Sequence, residues 1–153
     1  MKIKNVTKKT WNGKTYFRGI VHFDKATVIG CRVEMTENGM VATPPAKKLY
    51  NGRTAVCIAF NDKNAMNAQA AEKLASYNAG CLSDKTYFVD LTGPCDVAMT
   101  VTVYPNGQAF LDKPHRIIAP KGNVFSLDLV KGDSTDDEIV NAILGYTNVT
   151  MIP

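Results

Sequence analysis

The sequence predicts an α+β protein of two antiparallel β-meanders, each backed by a short helix. Segments rich in β-branched and aromatic residues recur along the chain, as expected for strands. Asn-Gly pairs at Asn38-Gly39 and Asn106-Gly107 separate such segments, and this pair accepts the positive φ angles of a tight hairpin turn. Two further segments begin at a capping residue and end before a glycine, which predicts the two helices.

The first meander is predicted to contain four strands, at Thr15 to Phe23, Thr27 to Met35, Met40 to Ala42 and Thr54 to Phe60. Asp24-Lys25 is predicted to form a short turn between the first two strands. Pro44-Pro45 ends the third strand, because proline offers no N–H to a sheet. The fourth is apolar enough to be buried on both faces.

A helix is predicted after this fourth strand. Either Asn61 or Asp62 is expected to cap it, and Gly80 to close it. Its apolar stripe follows helical spacing and is expected to pack on the sheet. The stripe consists of Met66, Ala70, Leu74 and Tyr77.

The second meander follows the same plan. Its predicted strands are Thr86 to Leu91, Val97 to Tyr104, Gln108 to Leu111, Ile117-Ile118 between two prolines, Val124 to Val130 and Val149 to Ile152. A short helix lies in "GDSTDDEIVNAILG", with Ser134 or Thr135 as its cap, acidic residues in its first turn and Gly145 as its stop.

An internal repeat is one interpretation of this similarity. "KTYF" occurs at Lys14–Phe17 and at Lys85–Phe88, and each copy precedes an Asn-Gly turn, with an offset that shrinks by three residues between the two markers. A degenerate tandem duplication explains the ordered series. The other interpretation is that any two α+β meanders with hairpins look alike at this level.

Charge divides the chain into a basic unit, residues 1–80, and an acidic unit, residues 81–153, which are expected to pack as one compact fold. The first unit carries 13 Lys and Arg against 5 Asp and Glu, a net of +8; the second carries 5 against 9, a net of −4. This asymmetry predicts that the first unit meets a polyanion.

Export and metal binding are not expected. The longest apolar run, Ala55 to Phe60, is too short for a membrane span, and the N-terminus lacks a secretory apolar region. We therefore expect a soluble cytoplasmic protein, from a bacterium or from a cell that hosts its phage. The four cysteines lack Cys-x-x-Cys spacing, which favours reduced, packed thiols over zinc ligands or disulfides.

The first 77 residues resemble the stage V sporulation protein G (SpoVG) family of small bacterial regulators. The resemblance runs through "MKIKNV", "VIGCRVEMTENGMVATPPAKK" and "YNGRTAVCIAFN". The chain departs from it at Thr43-Pro44-Pro45, where the family has Met-Pro-Ser, and at Ala55–Phe60, where the family has an Asp-Ile-x-His-Pro run. The resemblance implies nucleic-acid binding and a homodimer.

Two basic loops with an aromatic residue at their centre are the candidate nucleic-acid site. Cations near exposed backbone contact phosphates, and aromatic rings between them stack on the bases of a single strand. One loop is "TKKTWNGK"; the other follows Pro44-Pro45, which stiffens it. The predicted contacts are Lys8, Lys9, Trp11, Lys14, Lys47, Lys48, Tyr50 and Arg53.

No enzymatic signature is found, so neither catalytic residues nor a cofactor are expected. The two histidines, His22 and His115, lack a neighbouring nucleophile in the sequence. A calcium loop in "GDSTDDE" fails because Glu138 stands where the turn needs glycine. The first hypothesis is a non-enzymatic regulator that binds DNA or RNA. The alternative is a phage or mobile-element protein that blocks a host defence protein.

Overall fold

The computed structural model describes residues 1–48, 54–55, 57–75, 87–118 and 120–152, with only the backbone described at 47–48, 54–55 and 120. These residues form twelve strands and two helices: β1 Lys2–Trp11, β2 Lys14–Thr36, β3 Gly39–Thr43, β4 Lys47–Lys48, β5 Thr54–Ala55, β6 Ile58–Phe60, α1 Lys63–Leu74, β7 Tyr87–Val103, β8 Ala109–Asp112, β9 His115–Ile118, β10 Phe125–Asp128, β11 Val130–Gly132, α2 Asp136–Leu144 and β12 Thr150–Met151. The α+β class predicted from the sequence is confirmed.

The main sheet is built around one long antiparallel pair, β2 with β7. One edge of β2 pairs with β7, and its other edge pairs in turn with β1, β11 and β3. The outer edge of β7 pairs with β6 and then with β8, and β12 adds to β1 in parallel. Strands from before and after residue 80 therefore lie side by side within one sheet.

β2 is a single strand of 23 residues, so the turn predicted at Asp24-Lys25 is wrong. Asp24 and Lys25 instead form a bulge, and a second bulge falls between Val28 and Cys31, at Gly30 with its φ of 74°. Each bulge shifts the alternation by one residue and so keeps the apolar residues on one face. These are Val21, Phe23, Ala26, Val28, Cys31 and Val33, all at most 2% exposed.

Other strand boundaries also differ from the predictions. Thr54 to Phe60 is not one strand buried on both faces: β5 and β6 are separate, and Ala59 is exposed between buried Ile58 and Phe60. Val124 to Val130 divides at Leu129, where the chain passes from β10 to β11. Thr86 to Leu91 and Val97 to Tyr104 are parts of the single strand β7, as far as the described residues extend.

Both helices pack on the same face of the sheet. α1 begins at Asp62, whose side chain accepts from the Ala65 N–H, and buries Met66, Ala70 and Leu74; it ends at Leu74, while Tyr77 and Gly80 lie outside the described residues. α2 begins with a capping box of Thr135 and Glu138 and ends at Gly145. The choice between the predicted capping residues is thereby settled for each helix. No helix among the described residues is long and apolar enough to cross a membrane.

The backbone plan repeats along the chain. In each half a long strand is followed by a hairpin return, a two-stranded arm, a short strand and a helix: β2, β3, β4–β5, β6 and α1, then β7, β8, β9–β10, β11 and α2. Each short strand pairs with the long strand of the other half: β6 pairs with β7, and β11 pairs with β2. Likewise α1 contacts β3 and β7, and α2 contacts β8 and β2.

Three of the cysteines are free thiols in this fold. Cys31 and Cys95 are buried in the core, and Cys57 is partly buried. Burial raises the pKa of the Cys31 thiol to about 12 and that of the Cys95 thiol to about 11. Both are therefore protonated, unreactive packing groups at neutral pH, as predicted for packed thiols. Cys81 lies outside the described residues.

Candidate nucleic-acid interface

The candidate site lies on the face of the sheet opposite the helices, here called the open face. Successive residues of a strand point to opposite faces, and directly paired residues point to the same face. Because Gly19 and Val21 of β2 face the helices, Arg18 and Ile20 belong to the open face. None of the open-face side chains that β2 and β7 contribute is buried in the part of the chain that the structure describes.

At the hairpin end of this face, cations and aromatic rings form a continuous patch. The prediction that "TKKTWNGK" is a loop is wrong. This segment contains the end of β1 and the start of β2, joined by the two-residue turn Asn12-Gly13. Both turn residues have positive φ. Cross-strand pairing places Trp11 beside Lys14 and Lys9 beside Tyr16. We call the patch the platform; it comprises Lys9, Trp11, Lys14, Tyr16, Arg18, Tyr104 and Phe110.

The aromatic part of the platform combines exposed and supporting rings. Trp11 is 61% exposed and Phe110 is 54% exposed. Tyr104 meets Phe110 edge to face, with ring centroids 5.2 Å apart and an interplanar angle of 85°. The Lys14 ammonium lies 4.9 Å from the centroid of the Tyr104 ring. Tyr104 therefore holds both Phe110 and Lys14 in place, while Trp11 and Phe110 present surface to a ligand.

The cationic part is available for an anion. Lys9 and Arg18 are exposed, and neither forms an ion pair with any residue that the structure describes. Within the described ranges Lys14 also forms no ion pair, and its ammonium lies against the Tyr104 ring, which leaves its charge uncompensated. Three positive charges thus lie on two neighbouring strands, without a carboxylate directly paired to them across the strands.

The other predicted contacts are distributed differently. Lys8 lies on the helix face, because it pairs with Phe17 and its ammonium is 5.5 Å from the centroid of that ring. Lys47 and Lys48 form β4, a separate hairpin with β5, and their side chains are outside the described residues. Tyr50 and Arg53 also lie outside the described residues. Of the eight predicted contacts, the described structure therefore brings together Lys9, Trp11 and Lys14.

Four platform residues were not predicted: Tyr16, Arg18, Tyr104 and Phe110. Alternation counted from the Asn12-Gly13 turn could have placed Tyr16 and Arg18 on the face of Trp11. Tyr104 and Phe110 flank the other Asn-Gly turn in "YPNGQAF". Only the pairing of β2 with β7 brings them beside Lys14, and no local pattern encodes that pairing.

The charge of the open face changes beyond the platform. The Asp96 carboxylate lies 2.7 Å from the His22 Nδ1 atom and accepts from the Lys4 ammonium at 3.2 Å. Partial burial raises the pKa of Asp96, but hydrogen bonds from His22, Lys4 and Asn61 outweigh this effect and hold the pKa below its usual value. Further along, Arg32 is ion-paired with Glu34. Cations that lie outside the platform on this face are thus partly neutralised.

Comparison with known proteins gives no assignment, since neither a family model, nor a curated protein, nor a solved structure matches the chain. The resemblance to the SpoVG family stays a prediction.

Proposed function

We propose that the protein is a non-enzymatic regulator that binds nucleic acid, as the resemblance to the SpoVG family also implies. The observation that carries this proposal is the platform, which places three uncompensated cations among exposed aromatic rings on one sheet face. Phosphates supply the charge that such cations bind, and bases supply the flat surfaces that such rings contact. Such a protein would act in the cytoplasm of a bacterium or of a cell that hosts its phage.

The +8 charge of residues 1–80 supports the same proposal, because it would attract a polyanion before contact. Several acidic residues of the second half have local roles instead. Lys113 binds Asp128 at 2.9 Å and Asp136 at 2.8 Å, and these hydrogen bonds, which outweigh desolvation, raise the pKa of Lys113. Glu138 completes the capping box of α2. The alternative, a protein that blocks a host defence factor, gains no specific support from these contacts.

The test is a salt titration of affinity for fluorescently labelled, random-sequence DNA and RNA. The platform variant combines Lys9→Ala, Lys14→Ala and Arg18→Ala. The control variant combines Lys25→Ala, Lys63→Ala and Lys121→Ala, three exposed cations outside the platform, so that both variants lose the same charge. Each lost phosphate contact should lower the slope of log K against log salt by about 1.

We expect the platform variant to lose a slope of about 2 to 3 and the control to keep most of the wild-type slope. Melting curves of both variants should match the wild type, since exposed charges contribute little to folding. An equal loss in both variants would show that only net charge matters. A wild type that binds neither nucleic acid, but binds one host protein tightly, would favour the defence-blocking alternative.

A further inference from the structure

We infer that the ligand of the platform is single-stranded, and that its bases stack on Trp11 and Phe110 as the strand crosses β1, β2, β7 and β8. This inference rests on the proposed function and adds the class of nucleic acid and its path. Its starting point is the exposure of two large rings, 61% for Trp11 and 54% for Phe110. A duplex offers phosphates to a flat surface but keeps its base faces stacked inside, so such rings would gain little from it.

The distance between the two rings fits a short stretch of single strand. Trp11 lies on β1 and Phe110 on β8, three strand spacings apart in the order β1, β2, β7, β8. At about 4.8 Å per spacing the two rings are roughly 14 Å apart across the strands, and they are offset by two residues along them, since Trp11 is level with Lys14 and Phe110 with Tyr16. A short stretch of extended single strand can reach from one ring to the other, so one base would stack at each end. Lys14 lies between the two rings, beside Trp11 and against Tyr104.

Acidic residues on the open face define the path. A strand that ran along β2 from Tyr16 towards His22 would pass Asp96, which is ionised and paired with His22. A strand that crosses β2 near Lys14 and Tyr16 instead remains between Lys9, Trp11 and Phe110. Crossing the sheet at the hairpin end therefore keeps the phosphates beside Lys9 and Lys14 and short of Asp112, which lies on the same face of β8 two residues beyond Phe110.

Trp11 is the only tryptophan of the chain, so its fluorescence reports directly on the platform. The probes are an eight-nucleotide oligothymidine and a blunt-ended DNA duplex of eight base pairs, used at the same salt concentration. We expect the single strand to quench Trp11 fluorescence on binding and to bind at least about tenfold more tightly than the duplex.

The matched variants are Phe110→Ala and Phe88→Ala. Phe88 is also an exposed aromatic residue of the open face, 67% exposed, but it lies at the opposite end of β7. Loss of one stacked base should weaken single-strand binding by Phe110→Ala about 5- to 150-fold, with duplex binding unchanged. Phe88→Ala should bind like the wild type. Melting curves establish that both variants fold.

The outcomes separate the inference from the proposed function. Salt-dependent binding of equal strength to both probes, without quenching of Trp11, would overturn the inference and leave the proposed function standing. Equal losses for Phe110→Ala and Phe88→Ala would also overturn it. Binding to neither probe nor to the random-sequence nucleic acids would remove the proposed function itself.

Discussion

The two halves of the chain share a backbone plan, but their surfaces differ. Val21 pairs with Val97 and Val28 pairs with Leu91, so exchanging β2 for β7 places Val21 on Leu91 and Val97 on Val28. Hydrogen bonds beside the exchanged strands repeat as well: the Ala98 N–H donates to the Cys57 carbonyl and the Ile29 N–H to the Leu129 carbonyl.

The difference begins with β1, which pairs with β2 on one side and with β12 on the other, and does not pair with β7. β1 supplies Lys9 and Trp11, and the corresponding edge of β7 is contacted by side chains of α1. Gln69 donates to the Thr92 carbonyl and accepts from the Thr92 N–H, and Lys73 donates to the Asp90 carbonyl. The backbone plan is thus repeated, but the platform is present at only one of the two equivalent places among the described residues. The residues that specify the fold therefore differ from those that form the binding surface.

We propose that the chain arose by duplication. In a dimer of the ancestral unit, each copy would pair its short strand with the long strand of the other copy; here β6 and β11 make these pairings within one chain. The Asn-Gly turns at Asn38 and Asn106 fall at equivalent places in this arrangement. The "KTYF" match does not: the exchange of β2 for β7 brings Phe17 onto Tyr87, whereas the letters align Phe17 with Phe88. The repeated topology, rather than the four-letter match, supports the proposal.

The first prediction concerns assembly. A duplicated chain that replaces its own partner would be a monomer, whereas the SpoVG resemblance implies a homodimer of twice that mass. We expect a monomer, because β6 and β11 are already exchanged inside one chain. The outer edge of β3 is also occupied, since the Ala42 N–H donates to the Asn67 side chain at 2.8 Å. Sedimentation at micromolar concentration measures the mass. A stable dimer would favour the assembly implied by the SpoVG resemblance and argue that the internal exchange does not replace a partner.

The second prediction compares two glycines at which an added Cβ would overlap a neighbour. At Gly132 the neighbour is the ring of Phe23; at Gly93 it is the terminal methyl of Met66. Both neighbours are buried, but methionine is unbranched with three rotatable bonds and can rotate away, whereas the phenylalanine ring moves only as one flat body. Gly132→Ala should therefore lower the free energy of unfolding by about 1 to 3 kcal/mol, and Gly93→Ala by less.

Urea unfolding of the two variants measures this difference. Phe23→Leu removes the ring, so the penalty of Gly132→Ala should shrink in that background if the overlap is its cause. Equal penalties for the two glycines, or an undiminished penalty in the Phe23→Leu background, would contradict the packing argument.

The sequence predicted those features that depend on neighbouring residues. The hairpin between β2 and β3, the Asp62 cap and the Gly145 stop all have local signals. Asp24-Lys25 shows the limit: two exposed polar residues between apolar strands fit a turn and a bulge equally well. Pairing with β7, about 70 residues away, decides between them. The platform has the same limit, because β1 and β2 are local partners whereas Phe110 joins them only through β7.

The smallest predicted effect concerns two equivalent cross-strand pairs on the open face. In one pair Thr27 and Thr92 hydroxyls lie 2.9 Å apart; in the other His22 and Asp96 lie 2.7 Å apart. The neutral pair should stabilise the fold equally across the acidic pH range. The pair that contains Asp96 should not, because the pKa of Asp96 is lowered in the folded state.

The sign of this dependence follows from linkage. A carboxyl group whose pKa is lower in the folded than in the unfolded protein stabilises the fold above its unfolded pKa, about 4. This stabilisation is lost as the pH falls towards the folded pKa. We therefore expect the double variant His22→Thr with Asp96→Thr to be less stable than the wild type at pH 7, by about 1 kcal/mol. The difference should diminish below about pH 4.

Urea unfolding between pH 7 and pH 3 measures this difference, and Thr92→Val is the matched control. Removing one hydroxyl of the neutral pair should change the free energy of unfolding by the same amount at every pH, because neither threonine titrates. The Lys4 ammonium also binds Asp96, so Lys4→Met should reproduce part of the pH dependence of the double variant. If the double variant and the wild type lose stability in parallel on acidification, the ionised Asp96 carboxylate is not the origin of the stability difference between them.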